Sequence, residues 1–290
     1  MNILETYQEY CLKYGIQFED IKNIKSPDNS TLFCSAGMQR FKDKFQSDFV
    51  GTLSTNQRCL RVDDINTIGD GTHFGVFNML GLFSFRDWDI VRTIHFWLDF
   101  MKILGLELSS VHIHPDRIKW STIYQDYDKN IQIVSDPECK WSDGEIGGYC
   151  TEFYVNGIEV GNIVNPLDTC IDVGFGLERL DQLVNKTRQK TKEELLLSTC
   201  ESIIESGYKP SNKRQGYVLR RILRELNKLP IIEISTEPNL VITGVSKDFE
   251  RHLQEEKIRQ NKVIERYNKL KDKFPNQTKE WWFETFGVEL

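Results

Sequence analysis

Apolar positions along this chain recur with two periods, about 3.6 and 2, and the places where the period switches mark out its elements. Leu4, Tyr7, Cys11 and Tyr14 fall on one side of a helix predicted over residues 4–14. A short strand is expected at 31–34, running into a turn at Ala36, Gly37 and Met38 and an amphipathic segment that ends at Phe45. Residues 57–62 and 74–81 read as two strands joined by a Gly/Asp-rich connection, 63–71. Over 88–104 the apolar positions 91, 94, 97, 98, 101 and 104 describe a helix with one buried face.

A strand is expected at 131–135, and then comes the clearest local signal. Residues 152–155 and 158–164 alternate on either side of Asn156 and Gly157, the pair that a two-residue hairpin turn with positive φ at both central positions requires. A further strand at 169–174 leads into a helix from Gly176, with Leu177, Leu180 and Leu183 at helical spacing. The fold expected for the first ~180 residues is α+β, an antiparallel sheet flanked by helices. Beyond Asn185 the pattern is helical only, over 191–206, 216–229 and 246–274. The last of these carries Phe249, Leu253, Ile258, Ile264, Tyr267 and Leu270 as its apolar side. Polar and basic residues interrupt the periodicity at 184–192, which predicts domains at 1–184 and 185–290, the second all-α.

Composition narrows the class. At 290 residues, 39% hydrophobic and 28% charged, the chain is expected to be a globular protein. Glu5 and Glu9 argue against a signal peptide, and Asp99 and Lys102 break the longest apolar run, so no membrane partner is expected. Seven cysteines, an odd number with no C-x-x-C pair, argue against a disulfide framework and a zinc knuckle, and predict a reducing cytoplasm. The net charge of −6 conceals a division: residues 1–183 balance at −11 and residues 184–290 at +5. A basic half on an acidic chain suits a polyanionic partner, although a solvated Lys/Glu-rich helix has the same signature.

The usual phosphate and metal motifs, G-x-x-x-x-G-K-[ST], a βα-opening G-x-G-x-x-G and H-E-x-x-H, do not occur. His112 and His114 would share a strand face, as a surface pair or as metal ligands. Arg58 and Arg61 would point to opposite faces of a regular strand, so one at most enters a site. His73 and Phe77, four apart, would share a face, setting a donor beside an aromatic plate. Gly174-x-Gly176 takes a strand into a helix with Arg179 one turn on, either as a simple tight turn or to bring backbone close to a ligand.

Together, Arg61, His73-x-x-x-Phe77 and Gly174-x-Gly176-x-x-Arg179 resemble motifs 2 and 3 of class II aminoacyl-tRNA synthetases. Longer stretches resemble the alanyl-tRNA synthetase family in particular: TLFCSAGMQRFK at 31–42, QRCLR at 57–61, MLGLFSF at 79–85, NIV at 162–164, DVGFGLER at 172–179, GYVLRRI at 216–222 and FETFG at 283–287. The resemblance runs colinearly over nearly the whole chain. It implies ATP-dependent activation of alanine or a similar small amino acid as its adenylate, followed by transfer to a tRNA 3′ end.

The same resemblance implies roles. Arg61 and Arg179 would be the catalytic residues, Arg61 on the α-phosphate and the amino-acid carboxylate, Arg179 on the γ-phosphate. His73, Phe77, Asn78 and Gly176 would complete the ATP site, with Phe77 and Arg179 covering opposite faces of adenine. Asp172 would hold the ammonium, unless it caps the following helix; Met38, Asn162, Val164 and Gly174 would bound the side-chain pocket, unless they are packing residues. Asn212 and Glu284 would read the acceptor stem, supported by Arg220 and Arg221 near the start of a helix. Mg²⁺ is expected to bridge phosphates, with Glu178 a candidate ligand and the others unassigned; no zinc is expected.

Departures from the family pattern also carry expectations. The Arg61–His73 link is shorter than usual, which suits a second reading in which the acyl group passes to a carrier protein or small molecule. A third reading is a silent tRNA-binding or regulatory paralogue. Asn78 stands where Glu is usual, and Gly161 replaces a Trp, which is expected to loosen the amino-acid pocket. The family's editing and C-terminal domains are not expected in this chain.

Overall fold

The computed structural model describes residues 1–142, 144–228, 247–275, 278, 279 and 281. They fall into two compact units, Met1–Lys190 and Thr191–Leu290.

The first unit is built on nine strands: β1 (Gln17–Ile21), β2 (Gly51–Leu60), β3 (Val76–Phe85), β4 (Ser110–Ile113), β5 (Gln132–Ser135), β6 (Lys140–Ser142), β7 (Gly147–Val155), β8 (Ile158–Pro166) and β9 (Cys170–Gly176). Their spatial order is β1-β2-β3-β9-β8-β7-β4-β5, with β6 added beside β7. Every neighbouring pair from β2 to β4 is antiparallel, while the outermost pairs, β1–β2 and β4–β5, are parallel. The sheet is therefore mixed at its margins and antiparallel through its middle.

The pleat sorts residues by face. Leu80 and Leu82 of β3 join Ile171, Val173 and Phe175 of β9 in the main apolar core. Onto it pack Tyr7 and Cys11 of α1 (Ile3–Lys13) and Trp97 and Phe100 of α3 (Ile90–Ile103). Trp97 stacks on Phe175 with centroids 4.0 Å apart, and Tyr7 donates its hydroxyl to the Gly81 carbonyl at 2.9 Å. The intervening residues, Met79, Gly81 and Phe83 on β3 and Asp172, Gly174 and Gly176 on β9, face the opposite side, which no long helix of this core covers. There α2 (Lys42–Gln46) brings Phe45 against Phe85, beside Met38 and Phe83. The short α4 (Ser121–Tyr127) and α5 (Leu177–Asn185) complete the unit.

Several expectations shift. Residues 31–34 form no strand; Phe33 makes a single bridge with Lys25, and the Cys34 N–H and carbonyl are taken by Ile24 and Leu60. β2 starts at Gly51 rather than 57 because its first half is polar yet buried. Ser54, Thr55, Asn56 and Gln57 are each 1% exposed, with Ser54 donating to the Gln17 carbonyl and Asn56 to Asp20. The hairpin is as expected, with Asn156 and Gly157 at φ 51° and 77°. Helix α3 begins after the Asp89 cap and leaves Val91 exposed, while Thr93, Phe96 and Phe100 join its buried face.

The second unit holds α6 (Lys192–Glu205), α7 (Arg214–Lys228) and α8 (Lys247–Leu270). Thr191 and Glu194 form a capping box on α6. Only part of the apolar side expected for α8 is buried: Phe249 is, but Ile258 and Ile264 are more than half exposed, and His252 and Glu256 are buried instead. Charge decides this. Arg220 of α7 grips the Glu256 carboxylate through Nε and Nη2 at 2.9 and 3.1 Å, so α8 turns an acid inward.

Candidate active site

On the sheet face away from α1 and α3, the first unit carries a cleft of about 250 Å³. It is lined by Arg61, Asp64, Thr72, His73, Phe74, Phe77, Met79, Glu159, Val160, Gly161, Asn162, Gly174, Gly176, Glu178 and Arg179. Two arginines more than a hundred residues apart in sequence thus share one cavity. Arg61 follows the last residue of β2, Leu60, and leaves the pleat there. Its Nε donates to the Ser35 carbonyl at 3.2 Å, and its guanidinium lies 5.4 Å from the centre of the Phe77 ring on β3. Arg179 projects from the first turn of α5; its Nη1 donates to the carbonyl and carboxylate of Glu159 at 2.8 and 3.2 Å, and its Nη2 to the Thr72 carbonyl at 3.4 Å. Both cations are held by protein oxygens at the rim of one space, an arrangement suited to a polyanion.

His73 and Phe77 both line the cleft, but not through strand spacing. β3 begins at Val76, and His73 sits in the preceding turn, where its Nδ1 lies 2.6 Å from Asp70. Against a desolvation cost, the Thr72 and His73 donors hold the Asp70 carboxyl well below the usual carboxylate range. An ionised Asp70 orients the imidazole of His73.

Asn78 points the other way from Phe77 and is not part of the lining. Its backbone N–H donates to both Glu178 carboxylate oxygens at 3.0 and 2.9 Å and its side-chain amide to one of them at 2.8 Å. Asn78 therefore acts as a clamp on Glu178 instead of an adenine contact. Burial pushes the Glu178 carboxyl up, with the Asn78 donors opposing it.

Strands β3, β8 and β9 supply the floor. Gly81, Gly174 and Asn162 lie in one register row across β3, β9 and β8. The two glycines matter sterically. A Cβ on Gly174 would meet Met79 Sδ at 2.9 Å, and one on Gly81 would meet the Phe83 ring at 2.6 Å, so larger residues would displace the side chains that overlie them. Asp172 sits two residues before Gly174 on the same face, in register with Phe83 and Val164, outside the cleft lining. Met38 and Val164 are 1% and 2% exposed and sit in apolar clusters rather than in the cleft wall. Gly161 lines the cleft, and a Cβ there would meet the Phe175 ring, so a larger residue would have to displace that ring. Trp97 is stacked on the same ring.

Glu159, Asp64, Thr72 and Met79 line the cleft without having been singled out from sequence. Glu159 lies close to the Asn156–Gly157 turn, but its place beside Arg179 follows only from the β8–β9 register.

In the second unit, Arg220 and Arg221 lie in the middle of α7, not at its start. Arg220 is engaged by Glu256 and donates to the Asn212 side-chain oxygen as well. Glu284 lies outside the described residues.

The family model described as tRNA synthetases class II (A) matches residues 18–142, which contain β2, β3 and Arg61. An antiparallel-centred sheet with helices packed on one face and this cleft on the other makes the first unit a class II aminoacyl-tRNA synthetase domain. An alanine–tRNA ligase of Buchnera aphidicola is 29% identical over 69% of the chain and 32% of its own length. One from Legionella pneumophila is 26% identical over 91% and 41%, and one from Ehrlichia ruminantium 28% identical over 74% and 33%. Over these stretches the chain is similar to alanine–tRNA ligases, and it spans between 32% and 41% of the length of these relatives.

Proposed function

We propose that this protein condenses a small amino acid, alanine foremost, with ATP and passes the aminoacyl group to the 3′ end of a tRNA. The observation that carries this reading is the convergence of Arg61 and Arg179 on one cleft, with Phe77 beside Arg61.

In the first step a carboxylate oxygen attacks the α-phosphorus and pyrophosphate leaves with the P–O bond electrons. No strong base is needed; two anions must be brought together and held in line. Arg61 would hold the α-phosphate and the carboxylate, and Arg179, released from Glu159, would take the γ-phosphate with His73 nearby. Phe77 offers its ring to adenine, and Gly176 lets the phosphates approach the backbone. Asp172 is the ammonium partner, and Asn162 and Gly174 bound the small side chain. Val164 and Met38 support that wall from the clusters behind it. Asp64, Glu159 and Glu178 are the acids of the cleft lining and would be the candidates to hold Mg²⁺, which would neutralise phosphate charge there.

In the second step a tRNA hydroxyl attacks the acyl carbon and AMP leaves. Residues 185–290 are assigned to tRNA recognition, with Asn212, Arg221 and Glu284 toward the acceptor stem. One observation favours the alternative of a non-tRNA acceptor: Arg220, one of the cations expected to meet phosphate, is bound to Glu256.

Amino-acid-dependent ATP–pyrophosphate exchange, run on the purified chain across all twenty amino acids and then with tRNA added, tests the reading. Alanine is expected to give the fastest exchange. Arg179→Ala is expected to lower exchange by about a thousandfold, the loss of one charge-stabilising contact in the transition state. Asn212→Ala is expected to leave exchange intact and reduce only tRNA charging. Wild-type exchange in Arg179→Ala contradicts the site; exchange with no charging of any tRNA transfers support to the other acceptor.

A further inference from the structure

Cys139, Cys150 and Glu152 bring two thiol sulfurs and a carboxylate oxygen within 4.8 Å of one another. Cys150 and Glu152 are two apart on β7 and share a face. Cys139 arrives from the segment between β5 and β6 and is anchored by its carbonyl, which accepts from the Cys150 N–H at 2.9 Å. Both thiols are buried, at 0% and 2% exposure. A second group shares the same carboxylate: ligand atoms of His112, Asp136 and Glu152 also lie within 4.8 Å of one another. His112 is the register partner of Glu152 on β4, and its Nδ1 is 3.0 Å from Asp136.

Apolar packing explains two buried cysteines against Val164, but not the carboxylate set beside them. Glu152 accepts one hydrogen bond, from the Tyr154 hydroxyl at 3.0 Å, and salt-bridges to no lysine or arginine among the described residues. Two sulfurs and one oxygen converging from two segments make a donor set of the kind zinc takes, and thiolate softness selects against Mg²⁺ and Ca²⁺.

We propose that Cys139, Cys150 and Glu152 bind a zinc ion, with water as its fourth ligand. Binding converts both thiols to thiolates, their protons passing to solvent, so affinity rises with pH. The ion ties the segment ahead of β6 to β7. It also stands beside the cleft, one strand along on the same sheet face, since Glu152 is in register with Asn162 and the two cysteines pack on Val164. The site rests on this geometry alone and holds whichever acceptor the adenylate has. The sequence expectation of no zinc came from the missing C-x-x-C spacing; here the ligands meet only through the sheet.

The test is zinc stoichiometry of the full chain, reduced, supplied with zinc and dialysed. One ion per chain is expected, falling to less than about a tenth in Cys139→Ser and Cys150→Ser, with Glu152→Gln weakening affinity about tenfold or more. Cobalt in place of zinc on the wild type gives a readout that needs no variant, a thiolate-to-cobalt charge-transfer band. Zinc-free wild type, full zinc in both serine variants, or cobalt bound without that band overturns the proposal. So does a Cys139–Cys150 disulfide in protein that takes up no metal once reduced.

Discussion

Glu178 illustrates how much a single side chain depends on its neighbour here. The carboxylate is half-buried at the first turn of α5, and its two oxygens take three hydrogen bonds from Asn78. Burial raises the Glu178 carboxyl, and those donors oppose the rise. The folded protein therefore keeps a proton on Glu178 at pH values where the unfolded chain, titrating near the usual ~4.3, has lost it. Stability from this group is full below that value and falls as pH rises through the folded one. Asn78→Ala removes the amide donor; a cost of about 2 kcal/mol is expected near neutrality, where the carboxylate is charged, and less in acid. Urea midpoints measured across pH for wild type, Asn78→Ala and Glu178→Gln check this. The Gln variant should lack the slope, and a pH-independent effect of Asn78→Ala would show that the amide does not serve the charged form.

Among elements, α7 and α8 are joined by charge where apolar packing was expected. Arg220 binds the Glu256 carboxylate with two nitrogens, Arg259 approaches it at 3.1 Å, and Arg224 stands at 4.0 Å. Glu256→Ala leaves these cations facing one another around a buried position, so the second unit is expected to lose about 3 kcal/mol. Thermal melts followed by helical circular dichroism should show it, and an unchanged melt would mean the cluster is not formed in solution. The β7–β8 hairpin behaves in the opposite way, because two adjacent residues with positive φ specify it locally. Strand β2 lies between these cases. Its polar half is a strand because β1 and β3 pair with its backbone on both sides, which its own side-chain pattern does not reveal.

For the whole molecule, the main apolar core and the candidate cleft both belong to Met1–Lys190. A fragment of these residues is therefore expected to fold and to keep most of the ATP–pyrophosphate exchange while charging no tRNA. Exchange that requires the remainder of the chain, in a fragment shown to be folded, would assign part of the adenylation site to Thr191–Leu290. The charge division, −11 before residue 184 and +5 from it onward, falls close to the boundary between the two units.

Local and periodic features were largely written in the sequence, though α3 starts later than its pattern suggested and exposes Val91. The hairpin turn, α3, the α6 cap and the chain's family resemblance each depend on residues close together or on fixed motif order, where neighbouring chemistry suffices. Strand register decided the rest. It set Gly161 against Phe175, turned Asn78 toward Glu178, brought Glu159 to Arg179, and gathered Cys139, Cys150 and Glu152. A pleat has a period of two, so a shift of one residue sends a side chain to the opposite face. Which residue faces the cleft is therefore known only when all nine strands have paired.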